Sequence, residues 1–545
     1  MTSTFDLDSH RSMPLEDWRV FVATLSEKFF LSGTAEIKVN GAAMGELWVV
    51  CNESISSLYD TSLLQTNAEI LQSAFGQKIS VRLAFVGYSE GEFFTKENSN
   101  DGSCVFANML EFSKNIHSDD YVVFLGPFAE IEVHLFTKLV ERAVYEFAGF
   151  VLFDLWFVED GRAYPVLVGD VDPVAIDYCD YIFSTFIIRG DVVMKALSGA
   201  PSFLNAWELA KRVLGRLADL NSFSTLYFQI PLVRDNSISS KLLLEKERLI
   251  SLDYEMQRRY QEPALRGRSE VGGRVAAIIC TKDKSHLLSQ LVRRLAINQE
   301  VAEIVIVSNN PTNRYSKEAL QSLSVIDKVS IVQYSSEFNF SEQCNLGVSK
   351  VNSPRLLFLN DDIVPINPNW LEAMNDVLDR FSFVSAVGSL LLYPNETVQH
   401  GGMYLGFNNC AGHEFRSAIL PDDGYLYRCL APRSVSCVTG AVMLVERKVF
   451  EALNGFDRKL ATYLQDVDLC LRINGLGKRV VFTPFSKLFH MESVSLNNEI
   501  NTSDKILEKR GLEHQVFSRR WSVKEDGFRS NLFDVQSEGG YRMIV

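Results

Sequence analysis

The chain has 545 residues, of which 47% are hydrophobic, 22% charged and 11% aromatic, and 54 Lys plus Arg against 68 Asp plus Glu give a formal net charge of −14. That length holds about two to four domains, each with a sizeable core, and the acidic balance excludes a general nucleic-acid binder, which needs a basic footprint. Nine cysteines stand singly at 51, 104, 179, 280, 344, 410, 429, 437 and 470; without a Cys-x-x-Cys they suggest neither a zinc knuckle nor a redox dithiol, and they fit a reducing compartment.

Met1 to Asp17 is polar and acidic, unlike a secretory signal. The most apolar long window, Ala143 to Val158, is broken by Glu146 and Asp154 and is too short to span a bilayer. A cytoplasmic protein is expected, with any membrane contact peripheral, at the inner face of the cell membrane.

In chain order, Leu47-Trp48-Val49-Val50-Cys51 reads as a short strand ending in the polar turn Asn52-Glu53-Ser54. A helix over 59–74 and a strand at Ile79–Val86 follow. Asp120 leads into Tyr121-Val122-Val123-Phe124-Leu125, a buried strand closed by Gly126-Pro127. Ile131 to Ala148 has helical spacing, Gly149 to Val158 reads as a strand, and Glu159-Asp160-Gly161-Arg162 is a hairpin turn. Strands alternating with helices point to a layered α/β domain. Ser239 to Gln261 is a charged, Leu-bearing helix, and Glu262 to Gly273 is the best linker in the chain.

A second α/β unit begins at Val275–Cys280, a strand followed by the polar turn Thr281-Lys282-Asp283. Ser285 can cap a helix with Leu287, Leu288, Leu291 and Leu295 on its apolar face. Glu303–Val307 and Val329–Val332 are the next strands. Polar residues gather at strand C-termini, where open parallel sheets place their ligand crevice. Neither a Gly-x-Gly-x-x-Gly turn nor a Walker pattern follows the first strand, which argues against dinucleotide or ATP chemistry.

The fourth strand runs Leu357-Phe358-Leu359 into Asn360-Asp361-Asp362, and Pro365 and Pro368 stop its continuation. Two carboxylates there repel each other and are costly to desolvate, unless a divalent cation sits between them and a phosphate. The other reading is a loop that happens to begin with acidic residues. In Thr439-Gly440-Ala441, small residues let a ligand approach the backbone closely. Gln465-Asp466 and Asp468 read as a helix N-terminus, where acidic residues are favoured; a carboxylate held there is also well oriented for catalysis. His490, after an apolar strand, is readable as a structural histidine or as a ligand.

The order Thr281-x-Asp283, Phe338-Asn339-Phe340-Ser341 with Asn345-Leu346-Gly347, Leu359–Asp362, Gln399-His400-Gly401-Gly402, Thr439-Gly440-Ala441, Gly455-Phe456-Asp457, Asp466–Arg472 and His490-x-x-Ser493 resembles family 2 glycosyltransferases. These are inverting enzymes of GT-A fold, and the resemblance is to bacterial tandem-domain rhamnosyltransferase and O-antigen types. It covers roughly residues 274 to 496, with weaker echoes (Arg520-Trp521, Asp526, Asn531-Leu532) to about 532. It implies that Asp362 binds Mg²⁺ or Mn²⁺ bridging the donor diphosphate, that Asp361 supports it, and that His490 can complete the metal site. Asp466 matches the base that deprotonates an acceptor hydroxyl. Thr281, Asp283, Ser308, Asn309, Asn345, Asn360, Gly440, Ala441 and Gln465 fall at substrate-binding places. The partners implied are a nucleotide-sugar donor and a glycan or lipid-linked acceptor, with dTDP-rhamnose as the suggested donor. Two departures stand out: Ser308 replaces an Asp that in relatives touches the base, and Gln465 replaces a frequent Glu.

The N-terminal half reads as a degraded copy of the same unit. Glu46–Ser54 is placed at its second strand, with Cys51 and Asn52 in place of acids. Asp120–Phe128 is placed at the metal-binding strand, where Gly126-Pro127-Phe128 cannot ligate a metal by side chains. Phe203–Arg212 is placed at the base-bearing helix, with Ala206 and Trp207 where carboxylates would stand. The fold class expected is α/β, with two GT-A-like (Rossmann-related, mostly parallel) domains in tandem, the first degenerate. Boundaries are drawn at 1–238, a helical linker 239–273, the catalytic domain 274–500 and a helical extension 501–545. The alternatives are a scaffold or lectin-like protein inactive in both halves, or a nucleotidyl transferase, for which Thr281-Lys282-Asp283-Lys284 is a poor basic loop. Gln515 with Arg520-Trp521 is similar to the Gln-x-x-Arg-Trp motif of membrane-embedded synthases, but its spacing is two residues too long.

Overall fold

The computed structural model of the protein describes residues 13–14, 45–51, 62–75, 79–86, 104–106, 109–125, 129–169, 171–200, 205–215, 224–235, 237–261, 274–283, 285–421, 425–491, 504–523, 525–530, 532–537 and 539–541. Outside these lie Asn52-Glu53-Ser54, Gly126-Pro127-Phe128, Phe203-Leu204, the linker Glu262–Gly273, Ser493 and Asn531. The chain divides into two compact units. One is Met1–Glu245 with Arg529–Phe533 and Arg542–Val545; the other is Lys246–Phe528 with Asp534–Tyr541.

In the first unit the strands are β1 (Met13–Pro14), β2 (Glu46–Cys51), β3 (Ser80–Val86), β4 (Cys104–Phe106), β5 (Tyr121–Phe124), β6 (Ala129–Ile131), β7 (Ala148–Glu159), β8 (Arg162–Val166), β9 (Phe186–Arg189) and β10 (Ser224–Asp235). They form one sheet in the order β1-β8-β7-β9-β5-β2-β3-β4, with β10 beside β7 and β6 beside β10. The hairpin joining β7 to β8 turns on Asp160 and Gly161, both at positive φ (49° and 73°), the geometry whose twist matches that of the strands.

The second unit holds β11 (Val275–Thr281), β12 (Val301–Ser308), β13 (Val329–Gln333), β14 (Arg355–Asn360), β15 (Ile363–Pro365), β16 (Val384–Leu392), β17 (Val398–His400), β18 (Met403–Leu405), β19 (Ala411–His413), β20 (Arg433–Val435), β21 (Val442–Glu446) and β22 (Arg479–His490). Its large sheet runs β13-β12-β11-β14-β21-β16-β22-β15, with β17 beside β16 and β20 beside β22. Leu356, Leu357, Phe358 and Leu359 on β14 are all buried, as expected of a strand covered on both faces. The helix Ser285–Ile297 packs through Leu288, Leu291, Val292 and Leu295. Leu287, expected on that face, is half-buried, and Val292 takes its place because one residue on from Leu291 falls nearer the stripe.

The two sheets share one pairing scheme. In the second, β13, β12, β11 and β14 are successively parallel. Antiparallel β21 then joins β14 to β16, β22 lies parallel to β16, and β15 lies antiparallel to β22. In the first, β4, β3, β2 and β5 are parallel. Antiparallel β9 joins β5 to β7, β10 lies parallel to β7, and β6 antiparallel to β10. The parallel half thus gives way to antiparallel pairs, and both sheets are mixed. One correction follows: Glu46–Cys51 is the counterpart of the first strand, β11, and not of the second. It pairs on both sides, with β3 and β5, as β11 pairs with β12 and β14.

Among the described residues no helix is long and apolar enough to cross a membrane.

Candidate active site

Strand β14 carries Asn360 and the turn Asp361-Asp362 out of the sheet between β11 and β21. The chain then pairs as β15 with the end of β22, Ile363 opposite His490. This register sets His490 Nε2 3.3 Å from Asp362 Oδ1, both residues being buried. Asn360 Nδ2 lies 3.2 Å from the same Nε2. An amide NH₂ only donates, so in this contact Nε2 is the acceptor and its single lone pair is directed at Asn360.

Asp361 turns the other way. Its Oδ2 accepts a hydrogen bond from Thr281 Oγ1 at 2.7 Å, at the end of β11. The carbonyl of Thr281 accepts from the Asn309 N–H at 2.9 Å, and Asn309 Nδ2 donates to the carbonyls of Tyr334 and Ser336 at 3.0 and 3.1 Å. Ser308 is fully buried, and its N–H and carbonyl lie in the sheet against β13 and β11. The Asp283 carboxylate accepts from Thr312 Oγ1 and from the N–H of Thr312 at 2.7 and 2.9 Å. Slight burial raises its pKa, but these bonds and those from Asn313 outweigh it and hold the carboxyl below its ordinary value. Asp283 therefore ties the β11 turn to the turn after β12.

Asp466 is the second residue of the helix Gln465–Gly475. Its Oδ2 accepts from the Gly440 N–H at 2.8 Å and its Oδ1 from the Val467 N–H at 2.9 Å. Burial pushes its pKa up, and these backbone donors together with Thr439 hold it back; the net shift is upward. The residue before the helix, Leu464, has φ 65°, a conformation costly for a branched side chain and found where a site over-determines its backbone. Gly440 lies close enough that a Cβ on it would be in contact with Asp466 at 3.4 Å and Phe340 at 3.7 Å.

Asn345 serves the frame. Its Nδ2 donates to the Phe456 carbonyl and its Oδ1 accepts from the Phe456 N–H, at 2.8 and 3.0 Å. Gly455, at φ 71°, has no room for a Cβ, which would fall 2.4 Å from Asn345 Oδ1.

Asn360 joins the two halves of the site. Its side chain reaches His490, and its N–H donates to the Ala441 carbonyl at 3.0 Å, next to the Gly440 that holds Asp466. The contacts thus bring Asp362, His490, Asn360, Ala441, Gly440 and Asp466 together. Thr281, Asp361, Asn309 and Asp283 form a neighbouring set on the β11 side, Asn345 braces the Phe456 turn, and Gln465 sits beside Asp466 at the helix start. Two contributors had no role read from the sequence: Gln399, which touches His490, and Trp521, whose indole joins Arg520 on Asp468.

The counterpart positions of the first unit carry other chemistry. Asp235 opposite Ala129 takes the place that His490 opposite Ile363 has in β22. Asp235 is buried, accepts from the Ser237 N–H and Oγ at 2.8 and 2.6 Å, and has Lys241 Nζ 3.7 Å away. The helix Ala206–Gly215 opens with Ala206 and Trp207 where Gln465–Gly475 opens with Gln465 and Asp466, and the Trp207 indole donates to the Ile176 carbonyl at 2.7 Å.

The family model "Glycosyltransferase like family 2" matches residues 273–502. These residues form a family 2 glycosyltransferase-like domain. The relatives with similarity to the chain include the following three. The uncharacterized protein y4gI of Sinorhizobium fredii is 28% identical over 255 residues, 46% of this chain and 28% of that protein. The O-antigen biosynthesis protein RfbC of Myxococcus xanthus is 35% identical over 225 residues, 41% and 18% respectively. Rhamnosyltransferase WbbL of Escherichia coli is 24% identical over 227 residues, 40% and 83% respectively. The chain thus spans 28% and 18% of the length of the first two.

In the family 2 domain, Asp362 and His490 are the side chains suited to a divalent cation. Asp362 Oδ1 and His490 Nε2 lie 3.3 Å apart, and with Nε2 unprotonated both are acceptors that a cation could bridge, taking over the lone pair that Asn360 now meets. Among the described residues, no group of three or more His, Cys, Asp or Glu converges on one point as a metal site. Asp361 gives its Oδ2 to Thr281. A set of two protein ligands suits an ion whose remaining positions are filled by substrate phosphates and water.

Proposed function

We propose that the family 2 domain is an inverting, metal-dependent glycosyltransferase. It would move a sugar from a nucleoside-diphosphate donor to a hydroxyl of a growing cell-surface polysaccharide or lipid-linked glycan. The names of two relatives, an O-antigen biosynthesis protein and a rhamnosyltransferase, support a glycan of this kind and rhamnose as its sugar. The observation that carries the reading is the bonded run from Asp362 and His490 through Asn360 and Ala441 to Gly440 and Asp466. It supports reading a candidate cation pair and a candidate base as parts of one continuous site.

Asp466 is the proposed base. Its carboxylate takes the proton of the acceptor hydroxyl, a poor nucleophile without such help. Bonds from Gly440 and Val467 fix its orientation, and the raised pKa makes it a stronger base than an exposed aspartate. Asp362 and His490 would hold Mg²⁺ or Mn²⁺, which neutralises charge on the departing diphosphate when bound. Asp361, locked by Thr281, borders the donor side with Asp283 and Asn309. A single displacement inverts the anomeric carbon.

The first unit is proposed to be a non-catalytic copy. Its shared pairing scheme supports a common origin, and Trp207 in place of a base and Asp235 beside Lys241 in place of His490 support the loss of chemistry. The direct test is the anomeric configuration of the product by NMR, set against that of the sugar nucleotide supplied. The opposite configuration is expected; retention would overturn the single-displacement mechanism.

A further inference from the structure

Gln399 is the residue in the site whose side chain no role yet explains. It lies in β17, where pairing with β16 steps from Leu391↔His400 to Leu392↔Val398. Gln399 is therefore the extra residue of a β-bulge, a device that re-aims a side chain beside a functional centre. The bulge turns it onto the end of β22, where its Oε1 lies 2.7 Å from His490 Nδ1. Gln399 and His490 are both buried, so no water competes for the contact.

We propose that Gln399 is a positioning residue that prepares His490 as a metal ligand. The inference rests on the metal reading above. A neutral imidazole has one N–H. An amide oxygen only accepts, so the contact at Nδ1 places that hydrogen on Nδ1 and leaves the lone pair on Nε2. Asn360 donates to Nε2 from the other side, and the two contacts select the same tautomer. Nε2, 3.3 Å from Asp362 Oδ1, then carries no proton to lose, and a cation binds there by displacing the Asn360 amide from the lone pair. A partner on the distal nitrogen that fixes ring and tautomer also raises the basicity of the ligating one.

The test measures Mn²⁺ affinity of the full chain by electron paramagnetic resonance, with no substrate present. Gln399→Met keeps the length of the side chain and removes the acceptor; its Mn²⁺ dissociation constant should rise about 10–100-fold. Gln399→Glu keeps an acceptor at the same reach, and its affinity should equal or exceed that of the unsubstituted protein. A part confined to packing predicts the opposite order, with the buried charge of Glu harmful and Met mild. Met matching the unsubstituted protein, or Glu weakening binding as much as Met, overturns the inference. Absence of Mn²⁺ binding by the unsubstituted protein would instead remove the metal reading itself.

Discussion

Asp466 Oδ2 accepts a hydrogen bond from the backbone N–H of Gly440 at 2.8 Å, which fastens the start of one helix to the entrance of β21. Because the donor is main chain, no side-chain substitution removes it. The carboxylate stays oriented while burial raises its pKa above the ordinary 3.8. As the proposed base it must be ionised, so activity should be lost as pH falls through that raised value. The acid limb of kcat/KM should lie above 3.8, measured as a pH–rate profile. A limb at or below 3.8 would remove Asp466 from the role of titrating base.

Thr281→Val should disable the donor side with the fold retained. It deletes the hydroxyl bound to Asp361 and leaves a buried carboxylate short of one donor, at a cost of about 1–3 kcal/mol. The expected result is a lowered urea midpoint and a raised KM for the donor. An unchanged donor KM would detach Asp361 from donor binding.

Asp468, buried two residues beyond the candidate base, is held by Arg472 Nε at 2.8 Å, Arg520 Nη1 at 2.6 Å and Trp521 Nε1 at 2.9 Å. Arg520 also reaches Asp457. The helix Asp504–Arg520 therefore pins the one that carries Asp466. Arg520 is partly exposed, so Arg520→Ala should cost about 1–2 kcal/mol. It should also lower kcat more than it changes donor KM, read from steady-state kinetics beside a denaturation curve. Equal stability and kcat would reduce the pair to a surface contact.

In the first unit, Asp154 is fully buried and its Oδ1 accepts from Tyr227 Oη and the Val168 N–H at 2.7 and 3.0 Å. Burial pushes its carboxyl up to about 8. The folded state thus keeps a proton that the unfolded chain releases. This stabilisation is fully present below the ordinary 3.8 and is lost as pH rises through about 8. Asp154→Asn retains both contacts and cannot ionise. Its melting temperature should fall less than that of the unsubstituted protein between about pH 6 and about pH 9; parallel curves would contradict the buried, protonated state.

Much of this architecture was legible because buried strands have short apolar runs and amphipathic helices have their own period. The β7–β8 hairpin could be read from Asp160-Gly161, and the end of β14 from Asn360-Asp361-Asp362. What could not be read depends on pairing partners. Glu46–Cys51 has the pattern of any buried strand, and only its two parallel neighbours make it the counterpart of β11. Nor does the pattern of Val442–Glu446 announce that β21 runs antiparallel. At the candidate site, residue type singled out Asp362, His490 and Asp466 but did not give their contacts. Asp361 turns to Thr281, Asn345 spends its amide on Phe456, and Gln399 reaches His490 through a bulge that leaves no local sequence signal. Arg520-Trp521 looked like a displaced synthase motif; contact with Asp468, distant in sequence, supplies its place.

Release of nucleoside diphosphate from a panel of sugar nucleotides, with Mn²⁺ or with EDTA, tests the central claim most directly when Asp466→Asn is run beside the unsubstituted protein and an acceptor glycan is supplied. Turnover of one donor should require the cation, and the substitution should lower kcat by about 10²–10⁴-fold with donor binding preserved. Donor binding without turnover, or turnover indifferent to both EDTA and Asp466→Asn, would contradict the assignment of a metal-dependent transferase with Asp466 as its base.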